Sequence, residues 1–444
     1  MTDNVSRMKQ TAAQAGKWTG VAVAAVATLA VTSGTAIAQG GVSASVAAQS
    51  EFAKDRRDLT EPHSTQTRLG SFLFDGSAVL SATYEDNVFF EAVNEEDDLR
   101  FELRPQINLR SNFPRHWLNA NLGGEVGVYT ELSDDNFFHG KFGIDSGLNM
   151  TRQWDLRFGA NINSSTERRG DDDEGRAINL PTEPVRRTVV GAVIGSQVRF
   201  VRVELDGSIG YRNLNYSDAD TNIGTLDQDD RDRDVLSVGG SVTVEATPRL
   251  SPYVGFGVSD IDYANPDALA NGVAVGPERD GHHYYIVAGV NFDFTGLLLG
   301  QAAIGYQERS FDNAGFEDVS GPRFDVNLTW LPTKMMSVDW TLNSTVGDTT
   351  LSNSGGYDSI DTELQFSYEV IRHLTVGAHV GFDNRDYNST PREDDRWRAG
   401  LGATYVFSRY VSGNFRYRFV DRDSTDTAFN YTQNMVNLNL VTHF

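Results

Sequence analysis

Arg100, Glu102, Arg104, Gln106, Asn108 and Arg110 occupy every second position of one stretch, with Leu99, Phe101, Leu103, Ile107 and Leu109 between them. Successive side chains of a strand point to opposite faces, so this spacing places fixed charges of both signs on one side and an apolar row on the other. Arg202, Glu204 and Asp206, then Arg396 and Arg398, then Arg416 and Arg418, share faces with polar neighbours in the same way. At mid-bilayer an outward Arg or Lys costs about 2 to 4 kcal/mol, so these residues belong on a water-filled inner surface. Charges so placed set the field felt by a permeating solute. Arg100, Glu102, Arg104, Arg398, Arg416 and Arg418 are therefore expected to line a lumen and not to catalyse a reaction.

Other chemistry is thin. Asp171-Asp172-Asp173-Glu174, Glu95-Glu96-Asp97-Asp98 and Asp227-x-Asp229-Asp230 offer oxygen ligands for a hard cation, but none has the spacing of a twelve-residue calcium loop. They read as solvated acidic loops, with divalent bridging to anionic surface lipid such as lipopolysaccharide as the lesser alternative. His282-His283 has no third ligand at a telling spacing. No serine sits in a GxSxG context. We expect no enzyme activity, no cofactor and no bound metal. Cysteine is absent and the net charge is -23, which leaves no disulfide framework and disfavours nucleic acid as a partner.

The elements that carry these residues read by period two. Phe324, Val326, Leu328 and Trp330 alternate with Arg323, Asp325, Asn327 and Thr329, and Ile360 to Tyr368 oppose Asp361 to Glu369. Continuing from residue 76 to the end, the pattern yields eighteen segments, or sixteen if the first hairpin is misread. Tight turns (Asn112 to Arg115, Thr295-Gly296, Arg372-His373) alternate with long polar connections such as Glu167 to Glu183 and Ser217 to Asp232. Short turns inside and long loops outside are the habit of outer-membrane barrels. In the last strand Val436, Leu438, Leu440, Thr442 and Phe444 take one face, and the aromatic Phe444 is expected to be the signal read by the barrel-assembly machinery.

At the amino-terminal side, Lys9 and Lys17 precede an apolar run from Val21 to Ala30 and then Ala36-Ile37-Ala38, the form of a cleaved export signal. The expected organisation is a leader over 1–38, a periplasmic linker or small plug over 39–74, and a transmembrane antiparallel up-and-down barrel over 75–444. Pro105 suggests a bulge, because proline supplies no ladder donor. Aromatic motifs recur at strand ends: Gly210 to Tyr216, Gly305 to Phe311 and Gly381 to Tyr387. They read as an interfacial girdle, with stacking on sugar rings as the lesser alternative.

Tyr84-Glu85-Asp86-Asn87-Val88-Phe89, the stretch LRFELRPQINLRSNFPRHWLNANLGGEVGVY from Leu99 to Tyr129 and the Gly-aromatic strand ends resemble the family called putative beta-barrel porin type 2. The resemblance covers most of residues 70 to 444, and Glu85 stands where the family usually has Asp. Members are often encoded beside exopolysaccharide biosynthesis genes. The resemblance thus implies outer-membrane transport or secretion of sugar polymers, with no catalytic residues to carry over.

About sixteen to eighteen strands leave an aqueous interior, whereas about eight are filled by side chains. The expected function is a porin-like channel in the outer membrane for hydrophilic solutes, sugars or a secreted exopolysaccharide. Its partners would be membrane lipid, the assembly machinery and polysaccharide secretion components. The alternative is a non-conducting scaffold docking a secretion machine, with its lumen closed by cross-lumen salt bridges.

Overall fold

The alternation builds a closed all-β barrel in the computed structural model, which describes residues 67–170, 181–221, 224–264, 269–270, 273–274, 279–349 and 354–444. Its wall is β1 (Phe72–Glu85), β2 (Asp98–Ser111), β3 (Trp117–Tyr129), β4 (Phe137–Asn149), β5 (Trp154–Thr166), β6 (Arg186–Arg199), β7 (Val203–Tyr216), β8 (Arg233–Val244), β9 (Leu250–Tyr263), β10 (Gly281–Phe294), β11 (Leu298–Phe311), β12 (Val319–Thr333), β13 (Met336–Gly347), β14 (Tyr357–Ile371), β15 (Leu374–Tyr387), β16 (Glu393–Ser408), β17 (Val411–Ser424) and β18 (Tyr431–His443). Each strand pairs antiparallel with its sequence neighbour, and β18 pairs with β1 from His443 opposite Ser77 to Met435 opposite Glu85. Eighteen strands, not sixteen, close the sheet. Closure leaves no unpaired edge.

Alternation along each strand sorts the residues. Ile304 is 61% exposed on the outside, Leu401 59%, Ile209 58% and Leu438 55%. Gln301, Gln307, Gln197 and Ser81 are buried on the inside. Turns at the short-connection end span two to five residues. In the β10–β11 turn Thr295 and Gly296 both take positive φ, 62° and 69°, the backbone a tight hairpin requires. The Asp293 side chain accepts from the Gly296 N–H at 2.8 Å.

The bulge expected at Pro105 is not there. Pro105 stands opposite Ala78 of β1 in unbroken register. Toward β3 the paired residues stop at Leu103–Val126 and resume at Gln106–Gly123 without a shift. The missing N–H interrupts the ladder and does not slide it. Register shifts occur instead at Trp330/Thr333, Glu369/Ile371 and Val406/Ser408, beside short turns. Arg202 also departs from its expected face: it is exposed in the turn before β7, where its carbonyl accepts from the Glu245 N–H at 2.8 Å. The leader and most of the 39–74 segment lie outside the described residues, as does Asp171–Glu174. Thr67–Leu69 folds back on Phe72–Phe74 as a short antiparallel strand.

Phe444 completes the seam. Its N–H donates to the Gly76 carbonyl at 2.9 Å and its carbonyl accepts from the Gly76 N–H at 3.1 Å. The ring covers Gly76 so closely that a Cβ there would stand 2.4 Å from Phe444 Cε2.

Candidate functional site

The inner wall across β16, β17, β18, β1 and β2 carries all six residues expected to line the lumen. The structure separates them into two groups. On β2, Arg100 Nε donates to Glu102 Oε1 at 2.6 Å and its Nη1 stands 3.1 Å from Glu85 Oε1, while Arg104 Nη2 lies 3.4 Å from Glu102 Oε2. Arg104 also donates to Ser81 Oγ at 2.5 Å and to Asn439 Oδ1 at 3.3 Å. On β16, Arg398 pairs with Asp361 and stands 3.6 Å from Asp383, which also pairs with Arg396 at 2.9 Å. A buried ion is tolerable only when paired and hydrogen-bonded, and these four are.

Arg416 and Arg418 form the second group. Both lie on the inner face of β17, opposite Gly402 and Gly400 of β16 and opposite Asn437 and Met435 of β18. Neither has a hydrogen bond or ion pair among the described residues, and none of their nitrogens belongs to the buried unpaired atoms. Both side chains are half-buried on that face.

Toward the long-connection end, ion pairs draw the loops inward. From the β5–β6 connection Arg168 pairs with the buried Glu85, and Arg169 Nε donates to Asp135 Oδ1 at 2.7 Å. Arg168 lies 4.8 Å above the Phe90 ring and Arg169 4.3 Å above Phe89. Asp348, which opens the β13–β14 connection, reaches Arg233 of β8 at 2.9 Å and Arg309 of β11 at 3.9 Å. Burial alone would push the Asp348 carboxyl up, but Arg233, Arg309 and Arg279 overcome it and hold the pKa at about 2. A third knot joins Asp394 to Arg392 at 2.8 Å and to Arg422 at 2.5 Å, with Arg392 3.5 Å above the Phe429 ring.

The Tyr84-to-Phe89 motif is a clasp across the seam, a role the sequence did not suggest. Asp86 accepts from the Asn434 backbone N–H at 2.7 Å and from its Nδ2 at 2.6 Å. Asn87, fully buried, donates to the carbonyls of Glu91 at 2.7 Å and Thr432 at 3.0 Å, and Gln433 Nε2 donates to its carbonyl at 2.7 Å. These bonds tie the end of β1 to the start of β18, residues about 350 positions apart, so no local pattern announces them.

The aromatic strand-end motifs are only half girdle. Their first aromatics, Tyr211 and Tyr306, are exposed on the outer face. Their last, Tyr216, Phe311 and Tyr387, lie five positions on and therefore face inward, under Arg231 at 4.0 Å, Arg309 at 5.0 Å and Arg392 at 4.3 Å. Of the acidic loop residues, Asp98 is committed to the β3–β4 connection, accepting from the Leu132 N–H at 2.9 Å and the Glu131 N–H at 3.1 Å. Carboxylate oxygens of Asp218, Asp227 and Asp229 come within 4.8 Å of one another, all exposed. His282 stands 3.0 Å from Asp260 on the outer face, and its neighbour His283 points inward, so the pair does not converge.

The family model for putative beta-barrel porin 2 matches residues 63–444. The chain belongs to that family. Among solved structures, OpdL of Pseudomonas aeruginosa is 11% identical with a TM-score of 0.47, over 85% of this chain and 99% of that one. OccAB4 of Acinetobacter baumannii is 10% identical with a TM-score of 0.45, over 86% and 99%. The copper transporter OprC is 10% identical with a TM-score of 0.47, over 85% and 82%. No curated protein sequence matches.

Proposed function

We propose that this porin-family barrel sits in the outer membrane and conducts hydrophilic solutes, with sugars or a secreted exopolysaccharide as the cargo that the family resemblance suggests. The observation that supports it most is the sorting of its two faces. The outside is a belt of exposed apolar side chains that only lipid would cover, while Arg416 and Arg418 stand half-buried on the inner face. The leader over 1–38, a periplasmic 39–74 segment, and contacts with lipopolysaccharide, the assembly machinery through Phe444 and secretion components belong to this reading.

Single-channel recording in a planar bilayer tests it. Discrete, steady openings are expected. Silence from a barrel shown to be folded by heat-modifiable migration would overturn the channel and favour the scaffold. One observation supports that second reading: Asp348 of the β13–β14 connection bonds to β8, five strands away around the wall, and draws a loop toward the lumen.

A further inference from the structure

We propose that Arg416 and Arg418 form the core of a binding site for small dianions, such as dicarboxylates or phosphate monoesters, on the inner wall; the proposal rests on the channel reading only for its role in transport. Residues two apart on one strand face have Cα atoms about 7 Å from each other. Two guanidiniums so placed can each give charge-assisted hydrogen bonds to one end of a dianion, and Arg geometry suits carboxylate and phosphate oxygens.

Three observations separate this pair from the other arginines of the wall. It lacks a protein partner, whereas Arg100, Arg104, Arg396 and Arg398 each have a carboxylate. It faces further positive charge: Arg104 is among the charges around Arg416, and Arg398 and Arg396 are among those around Arg418, together with Glu363. It borders a recess, since Gly402 and Gly400 stand opposite on β16 and Gly377 faces Gly402 from β15. A Cβ at Gly402 would meet only the Phe415 carbonyl, at 3.5 Å, so space beside Arg416 is open. His379 covers Gly400 and bounds the recess beside Arg418. The chain as a whole carries -23, so this positive surface is a local arrangement and not a reflection of bulk charge.

Calorimetric titration of malonate and of inorganic phosphate into the detergent-folded full chain measures the site without requiring conduction. Saturable binding is expected, weakened about tenfold or more in Arg416→Gln/Arg418→Gln, with Arg416→Lys/Arg418→Lys intermediate. Arg199→Gln on β6 should bind as the parent does. Equal binding by the Gln pair, or no binding by a barrel shown folded by heat-modifiable migration, overturns the proposal. If the Gln pair does not fold, each single variant is measured against the same criterion. Bilayer currents then separate the two readings: binding without current keeps the site and removes the channel, and current without binding does the reverse.

Discussion

Arginines at the two levels of this barrel meet opposite surroundings. Near the long connections, Arg168, Arg169, Arg233, Arg309, Arg392 and Arg422 each contact a carboxylate and lie 3.5 to 5.8 Å from the centre of an aromatic ring. On β17, Arg416 and Arg418 contact neither. A desolvated guanidinium must be matched by nearby negative charge, so the first set is spent on holding loops to the wall. Arg416 and Arg418 stand half-buried on the inner face with no such match, and their field extends into the barrel interior. Pairing, not residue type, divides the two sets.

Breaking the paired set should have the largest effect. Glu85→Ala leaves Arg100 and Arg168 without their shared anion at a site where Glu85 is 1% exposed. A loss of about 3 to 5 kcal/mol is expected, read as a lowered temperature for conversion of the heat-modifiable band. An unchanged temperature would mean that this ion-pair cluster does not hold the β5–β6 connection and β2 to the end of β1.

Gly76→Val tests the β18–β1 seam without touching charge. Its Cβ enters the Phe444 ring position, and overpacking of this kind costs about 1 to 3 kcal/mol. Gly76→Val combined with Phe444→Ala should recover part of the loss.

Asp348→Asn should free the β13–β14 connection from Arg233 and Arg309 and speed hydrogen exchange in peptides that span it, while leaving the barrel folded. The parent protein gives the pH dependence. Because the folded pKa of Asp348 is about 2, below the ordinary 3.8, its contribution is complete above about pH 5 and is lost progressively as pH falls through about 2. Exchange of that connection should therefore gain no contribution from Asp348 protonation between about pH 7 and 5. A Asp348-dependent rise within that window would show that the carboxylate is not held by its arginines.

Arg416→Gln/Arg418→Gln should have the smallest effect on stability, within about 0.5 kcal/mol, as expected for side chains without partners. Its consequence should appear in the reversal potential across a salt gradient, shifted toward cation preference. A large loss of stability would place these residues with the paired set.

Much of the fold was legible because the information is local. Each β-strand declares its two faces within about ten residues, which is how Leu438 and Asn439, or Phe101 and Glu102, could be assigned opposite sides before any partner was known. The site was legible only in part. All six candidate lumen residues fell on the inner face, but Arg202, assigned by the same alternation, sits in a turn one step outside the strand. Pro105 was read from its own missing N–H, and neighbours on both sides held the register regardless.

By itself, the sequence determined the facing of the strands and the membership of the wall and narrowed the strand number to eighteen or sixteen, since period-two alternation and turn chemistry act between residues close in the chain. Only the tertiary structure decided which charges cancel. Arg168 meets Glu85 across 83 positions, and Arg398 meets Asp361 across 37. Such partners are chosen by barrel closure and register, which bring distant strands to one height. That is why carboxylates distant in the chain found Arg168 and Arg398 and none found Arg416 and Arg418.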